Sequence, residues 1–203
     1  MAKYRSSFVS NHDEYQKYIA TVKQVVDTNR RLPDQVFKSG FHYYLFHEYD
    51  WMTWGDFWQS LKPLSKSDDD ERIIVAGIAP DPQDYYHQHF GDYNAFSISA
   101  SASVEDYQNM LTAEPSGSPA DAMNHHTDLI VLAPSSCTWA VWAEHELGVC
   151  VLACKIDQQR VSAIECGWEP VESTIETFLR NEFRGDVVPD DIAIPLRANY
   201  SNH

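Results

Sequence analysis

Apolar residues near the start of the chain recur at intervals of three and four: Tyr15, Tyr18, Ile19, Val22, Val25 and Val26. That period predicts an amphipathic helix over "NHDEYQKYIATVKQVVDTNRR", with one face buried. Asn11 is the expected N-cap, with Glu14 three residues on as in a capping box, and "LPD" at 32–34 is the expected stop. The next stretch, "FHYYLFHEYDWMTWGDFWQSLKPL", is too aromatic for a free loop. Positions 41–46 read as extended. Positions 54–61 read as a short helix with Phe57, Trp58 and Leu61 facing inward. "SKSDDDE" at 65–71 reads as a solvated turn.

Beyond residue 72 the period alternates between that of a strand and that of a helix. "RIIVAGI" reads as a buried strand and "NAFSISA" as an alternating one. Between them "DPQDYYHQHFG" has helix signals, with Asp81 as N-cap, Pro82 in the first turn and Gly91 past the end. "SVEDYQNMLT" predicts a helix capped by Ser103, and "EPSGSPADAMNHH" a loop. "DLIVLA" and a tryptophan-containing hairpin follow, then "RVSAIEC", grouped with these late strands. "PVESTIETFLRNEF" predicts a helix with Val171, Ile175, Phe178 and Leu179 on its apolar face, and "IAIPL" an edge strand that tolerates Pro195. Strands this close in sequence favour antiparallel pairing. The expected fold is therefore α+β: a mainly antiparallel sheet with helices packed on it and an amphipathic helix at the N-terminus. One domain over residues 1–203 is expected, with a helical, aromatic-rich part at 1–64 and a sheet-containing part at 72–203.

"TWAVWAEHELGVCVLAC", residues 138–154, holds the densest group of reactive side chains in the sequence. It reads as two β-prone runs around a polar "EHE" tip, with Gly148 at a bulge and Glu144, His145 and Glu146 exposed. On the second run Cys150, Leu152 and Cys154 face one way and Val149, Val151 and Ala153 the other, as in a central strand covered on both sides. In a strand Cys150 and Cys154 stand about 13 Å apart at about 3.3 Å per residue. Neither a shared zinc ion nor a disulfide spans that distance. Both are expected to be buried, reduced thiols.

Charge changes the picture more than composition does. The net charge is −15. Residues 1–40 carry seven Lys/Arg against four Asp/Glu, and between Arg72 and Lys155 there is no Lys or Arg but there are ten acids. Such a surface repels nucleic acid and anionic membrane and attracts basic proteins, although acidic residues also serve plain solubility. No apolar run approaches the length of about 18 residues that a membrane span needs. The first residues lack the apolar core of a secretory signal, so a cytoplasmic protein with free cysteines is expected.

Candidate chemistry is sparse. His87 and His89, and His125 and His126, are the histidine pairs from which a metal-assisted hydrolase could be built, but no third ligand stands at a recognised spacing. "DDD" at 68–70 lacks the spacing and glycine of an EF-hand loop, and the Ser135-Ser136-Cys137 turn has no base in view. No nucleotide-binding, zinc-protease or nucleophile-elbow motif occurs. No cofactor is expected. Trp58 reads as core, while Trp51 or Trp54 could serve as a binding anchor.

The segment "DLIVLAPSSCTWAVWAEHELGVCVLAC", residues 128–154, resembles a pattern seen in bacterial immunity proteins of polymorphic-toxin and contact-dependent inhibition systems. In that pattern a strand ends in a Ser-containing turn, and a "WAVW"-type strand, an acidic turn and a hydrophobic strand follow. Here the turn reads "AEHE" in place of an Asp-Arg pair. The resemblance implies a small cytoplasmic α+β protein that binds and blocks a toxin without catalysis of its own. Its expected contact surface for a basic partner comprises Asp68, Asp69, Asp70, Tyr85, Tyr86, Glu144 and Glu146, with a third reading, a structural or regulatory domain, left open.

Overall fold

The computed structural model describes residues 8–67, 70–115 and 117–201. Six strands form one sheet: β1 (Tyr43–Glu48), β2 (Arg72–Ala79), β3 (Ala95–Ser99), β4 (Leu129–Pro134), β5 (Trp139–Glu144) and β6 (Val149–Cys154). Their order is β1-β6-β5-β4-β2-β3, and every neighbouring pair is antiparallel. The fold is α+β, with helices on both faces of the sheet. β1 lies in the N-terminal part of the chain yet pairs with β6 over its whole length, Tyr43 opposite Cys154 and Glu48 opposite Val149. The aromatic N-terminal stretch is therefore part of the sheet layer.

The period-two pattern of the hairpin explains why this sheet is central to two cores. Val149, Val151 and Ala153 join one apolar cluster, with Trp142 and Val131. That cluster is roofed by α1 (His12–Val25), α5 (Val171–Glu176) and α6 (Asp190–Tyr200) through residues such as Val22, Ile175 and Leu196. Cys150, Leu152 and Cys154 join the other, with Trp139 and Leu132. It is roofed by α2 (Gly55–Ser67), α3 (Val104–Leu111) and α4 (Asp157–Glu165) through Trp58, Tyr107 and Ala163. Every residue of β4, β5 and β6 is buried. Phe57, Trp58 and Leu61 face inward as their spacing requires.

The helix caps follow the sequence. Asn11 Oδ1 accepts the Glu14 N–H at 3.0 Å, and Ser103 Oγ accepts the Asp106 N–H at 3.0 Å. Five expectations are corrected. α2 runs on to Ser67, into the turn expected at 65–71, and α5 stops at Glu176, short of Phe178 and Leu179. α1 ends at Val25, well before "LPD", because Val26 turns extended and bridges Phe37 while Asp27 Oδ1 accepts the Asn29 N–H and bends the chain. The run after the hairpin is helical: α4 buries Gln159 and Ala163, four residues apart, and leaves Ile164 outside. "IAIPL" is helical too, since Ala193, Leu196 and Tyr200 recur at helical spacing and α6 carries Pro195 internally.

Candidate functional site

With both faces of the sheet covered, the ends of the strands are where side chains meet solvent. The register decides what collects there. The last residue of β2, Ala79, pairs with the first of β4, Leu129, which pairs with the last of β5, Glu144, which in turn pairs with the first of β6, Val149. Glu48, the last residue of β1, lies on the same line. The connections leaving this end bring Glu48, Asp50, Asp81, Asp84, Asp92, Asp121, Asp128 and Glu146 into one region. Glu48, Asp50, Asp81, Asp84, Asp128 and Glu146 are exposed. His87, His89, His125, His126 and His145 stand in the same connections. Arg72 and Lys155, the two cations that bound the cation-free stretch, lie at the opposite end of the strands. Among the basic groups bordering the acidic end is Arg31, in the segment after α1, whose guanidinium lies 5.9 Å from the centre of the Trp142 ring. Ion pairs among the described residues join Asp27 to Arg30 and Lys38, and Asp157 to Arg160.

The residues expected at the partner surface separate on the structure. Glu146 sits exposed in the β5–β6 turn. Tyr85 is half-buried, and its hydroxyl donates to Asp121 Oδ1 at 3.2 Å, which raises its pKa. Glu144 does not belong to the exposed tip: it is 4% exposed. Its Oε2 accepts the Trp142 indole N–H at 2.7 Å and the Leu32 N–H at 3.2 Å. Burial pushes its carboxyl above the ordinary value, against the lowering effect of those two donors. Tyr86 is also corrected, being 1% exposed and packed against Phe8 and Phe90. Asp70 lies at the other end of the sheet, where it accepts from Ser135 Oγ, Ser136 N and Ser136 Oγ at 3.1, 2.9 and 2.9 Å. Asp68 and Asp69 fall outside the described residues.

Residues not foreseen fill their places. Asp50, Asp81, Asp84 and Asp128 flank the same end, while Trp54, one of the two tryptophans expected as an anchor, is 58% exposed four residues after Asp50. Trp51 by contrast is buried against His47 and Trp168. The signal in the sequence was only that these acids precede or follow strand-like runs. Which end of the sheet each run presents depends on the pairing order.

The other chemistry resolves into packing. His89 and His126 flank the Tyr85 ring, each with its ring centre 4.6 Å away, while His87 stacks on Tyr93 at 4.1 Å. Among the described residues no three His, Cys, Asp or Glu side chains converge as metal ligands. Cys150 and Cys154 are buried and are not joined in a disulfide, and burial pushes the Cys150 thiol well up. At the Ser135–Cys137 turn the Asp70 carboxylate clamps both serines, and the Ser136 hydroxyl also meets that of Thr138 at 2.9 Å. A hollow of about 540 Å³ near that end is lined by Lys62, Lys66, Asp70 and Glu71, whose charges balance. A second hollow, about 250 Å³, opens on the acidic end between α1 and the loop after β2. No helix among the described residues is long and apolar enough to cross a membrane. The chain matches no family model, and neither curated proteins nor solved structures show significant similarity to it.

Proposed function

We propose that this chain is a binding protein that docks a basic partner on the acidic end of its sheet, and that it acts as an immunity-type inhibitor of a basic toxin domain in the bacterial cytoplasm. One observation carries the proposal: the strand register gathers exposed carboxylates from four separate connections at one end, while Arg72 and Lys155 stand at the other. A net charge of −15 arranged in this way steers a cationic partner toward one face instead of attracting it uniformly. The local likeness of residues 128–154 to toxin-immunity hairpins adds the class of partner. The hairpin itself contributes the scaffold, because its side chains are core and only His145 and Glu146 at its tip are exposed. Trp54, exposed four residues after Asp50, supplies an aromatic anchor.

The test is binding kinetics against salt with a partner recovered by co-purification. Joint replacement E48Q, D84N, D128N and E146Q should slow association and flatten its salt dependence, with dissociation nearly unchanged, since steering acts over a Debye length of about 8 Å. A partner whose association ignores both salt and these replacements would sink the proposal.

A further inference from the structure

The hollow at the acidic end has the chemistry of a receptor for one particular side chain. Its base is apolar: Tyr15, Ile19, Ile78 and Pro82 line it, and of these Tyr15 and Pro82 are buried. Tyr15 is held rigidly, its ring stacked on Tyr93 at 4.0 Å and 7°, and Tyr93 is stacked in turn on His87 at 4.1 Å and 6°. The Tyr93 hydroxyl is hydrogen-bonded to His12 Nδ1 at 2.8 Å, which fixes the stack from the other side. The mouth is polar and exposed, with Asp81, Gln16, Asn29 and Gln83 around it. Asp81 Oδ1 accepts the Gln83 N–H at 2.8 Å, a bond that pins the carboxylate in place and leaves its second oxygen to other donors. Asp81 also raises the pKa of the Tyr15 phenol, second to the effect of burial.

We propose that this hollow takes the side chain of an arginine presented by the basic partner, with the guanidinium at Asp81 and the aliphatic stem on Tyr15, Ile19 and Ile78. The inference rests on the docking function proposed above and names its central contact. A guanidinium offers five N–H donors in a plane, and the mouth offers a carboxylate and three side-chain amides as acceptors. An ammonium would use fewer of them and would stack less well on an aromatic wall. A volume of about 250 Å³ suits one side chain and is small for a metabolite of drug size, which takes at least about 300 Å³. Lys23 also lines the hollow, from an exposed position in the last turn of α1, and opposes a cation. Removing its charge should therefore strengthen binding, a gain that nonspecific attraction to a distant acidic surface would produce only weakly.

The experiment needs no partner. Nα-acetyl-arginine N-methylamide is titrated into isotope-labelled full-length protein, and backbone amide shifts are followed, with the lysine and citrulline analogues as controls. Saturable shifts at the amides of residues 15, 16, 29, 81 and 83 are expected with the arginine probe, weaker ones with lysine and none with citrulline. D81N keeps an oxygen for the Gln83 N–H and so preserves the turn, yet it should weaken the probe about tenfold. K23Q should strengthen it about threefold. Shifts that do not saturate, that are equal for citrulline, or that survive D81N would overturn the assignment. Because the probe reports on the hollow alone, such a failure leaves the salt-dependent docking of a partner to stand or fall on its own measurement.

Discussion

Glu144 offers the sharpest test of the structure, because its role changed from exposed tip to buried latch. Its carboxylate joins two pieces of chain: β5, through the Trp142 indole on the same strand, and the backbone of Leu32 in the loop after α1. Replacing Glu144 with Ala leaves two N–H donors without an acceptor in a buried site. Each such orphan costs about 1–3 kcal/mol, so Glu144→Ala should lower unfolding free energy by about 2–6 kcal/mol. Glu144→Gln keeps an oxygen that can accept from both and removes the buried charge, and it should cost under about 1 kcal/mol at neutral pH. The pH dependence has a definite sign. The folded-state pKa lies above the ordinary carboxylate value, mainly through burial, so the folded protein binds this proton more tightly than the unfolded chain does. Ionisation of Glu144 therefore costs wild-type stability as pH rises from the unfolded pKa through the folded one. The Gln variant lacks that group, and its stability relative to wild type should increase over the same window and level off above it. Urea unfolding at several values between about pH 4 and about pH 8, with equal m-values required, measures both effects. Equal losses for Ala and Gln, or a relative stability of the Gln variant that falls with rising pH, would refute the latch.

Two further outcomes follow from the cores. Trp58 is fully buried, stacks on Tyr107 at 4.6 Å and donates its indole N–H to the Ala102 carbonyl at 2.9 Å, so Trp58→Ala should cost about 3–5 kcal/mol in the same unfolding assay. Cys150 and Cys154 should resist a thiol reagent in the native protein and react only on unfolding, whereas half-buried Cys137 and Cys166 should label first; rapid native labelling of all four would contradict the packing of β6.

What the sequence made legible depended on whether local pattern and tertiary context agreed. β6 was readable because alternation of two apolar sets has a single structural meaning, and Val149 and Cys150 went to opposite cores as expected. The caps at Asn11 and Ser103 were readable because they are local. α6 was misread although Ala193, Leu196 and Tyr200 carried the helical period, because the β-branched "IAIP" run outweighed it. α4 was harder, since its inward residues are Gln159 and Ala163 and its large apolar side chain, Ile164, faces out. The candidate site was legible as a charge imbalance along the chain and illegible as a place. Tyr86 and Glu144 both belong to segments with exposed neighbours, and only the packing of Phe8, Phe90 and Leu32 against them shows that they are buried.

The arrangement of the two cores limits where any partner can bind. A sheet roofed on both faces offers its strand edges, its strand ends and the outer faces of its helices. One edge is β1, where Phe46 bridges Glu169, and the other is β3, where Phe96 bridges Phe8, so each edge already has chain laid against it. The strand ends therefore carry the exposed loops, and the chemistry of the two ends differs. At the Asp70 end, carboxylate and hydroxyl groups satisfy each other through the Ser135–Ser136 clamp, and Lys62 and Lys66 offset Asp70 and Glu71. At the Asp81 end, carboxylates from four connections face solvent beside a hollow with a rigid aromatic floor. An inhibitor must hold its partner by a surface that does not reorganise at cost, and rigid aromatic support beneath exposed charge meets that need. The hairpin with its tryptophans and cysteines serves this end indirectly: by filling both cores it fixes the register that sets Leu129, Glu144 and Val149 in line, and with them the loops that present the charge.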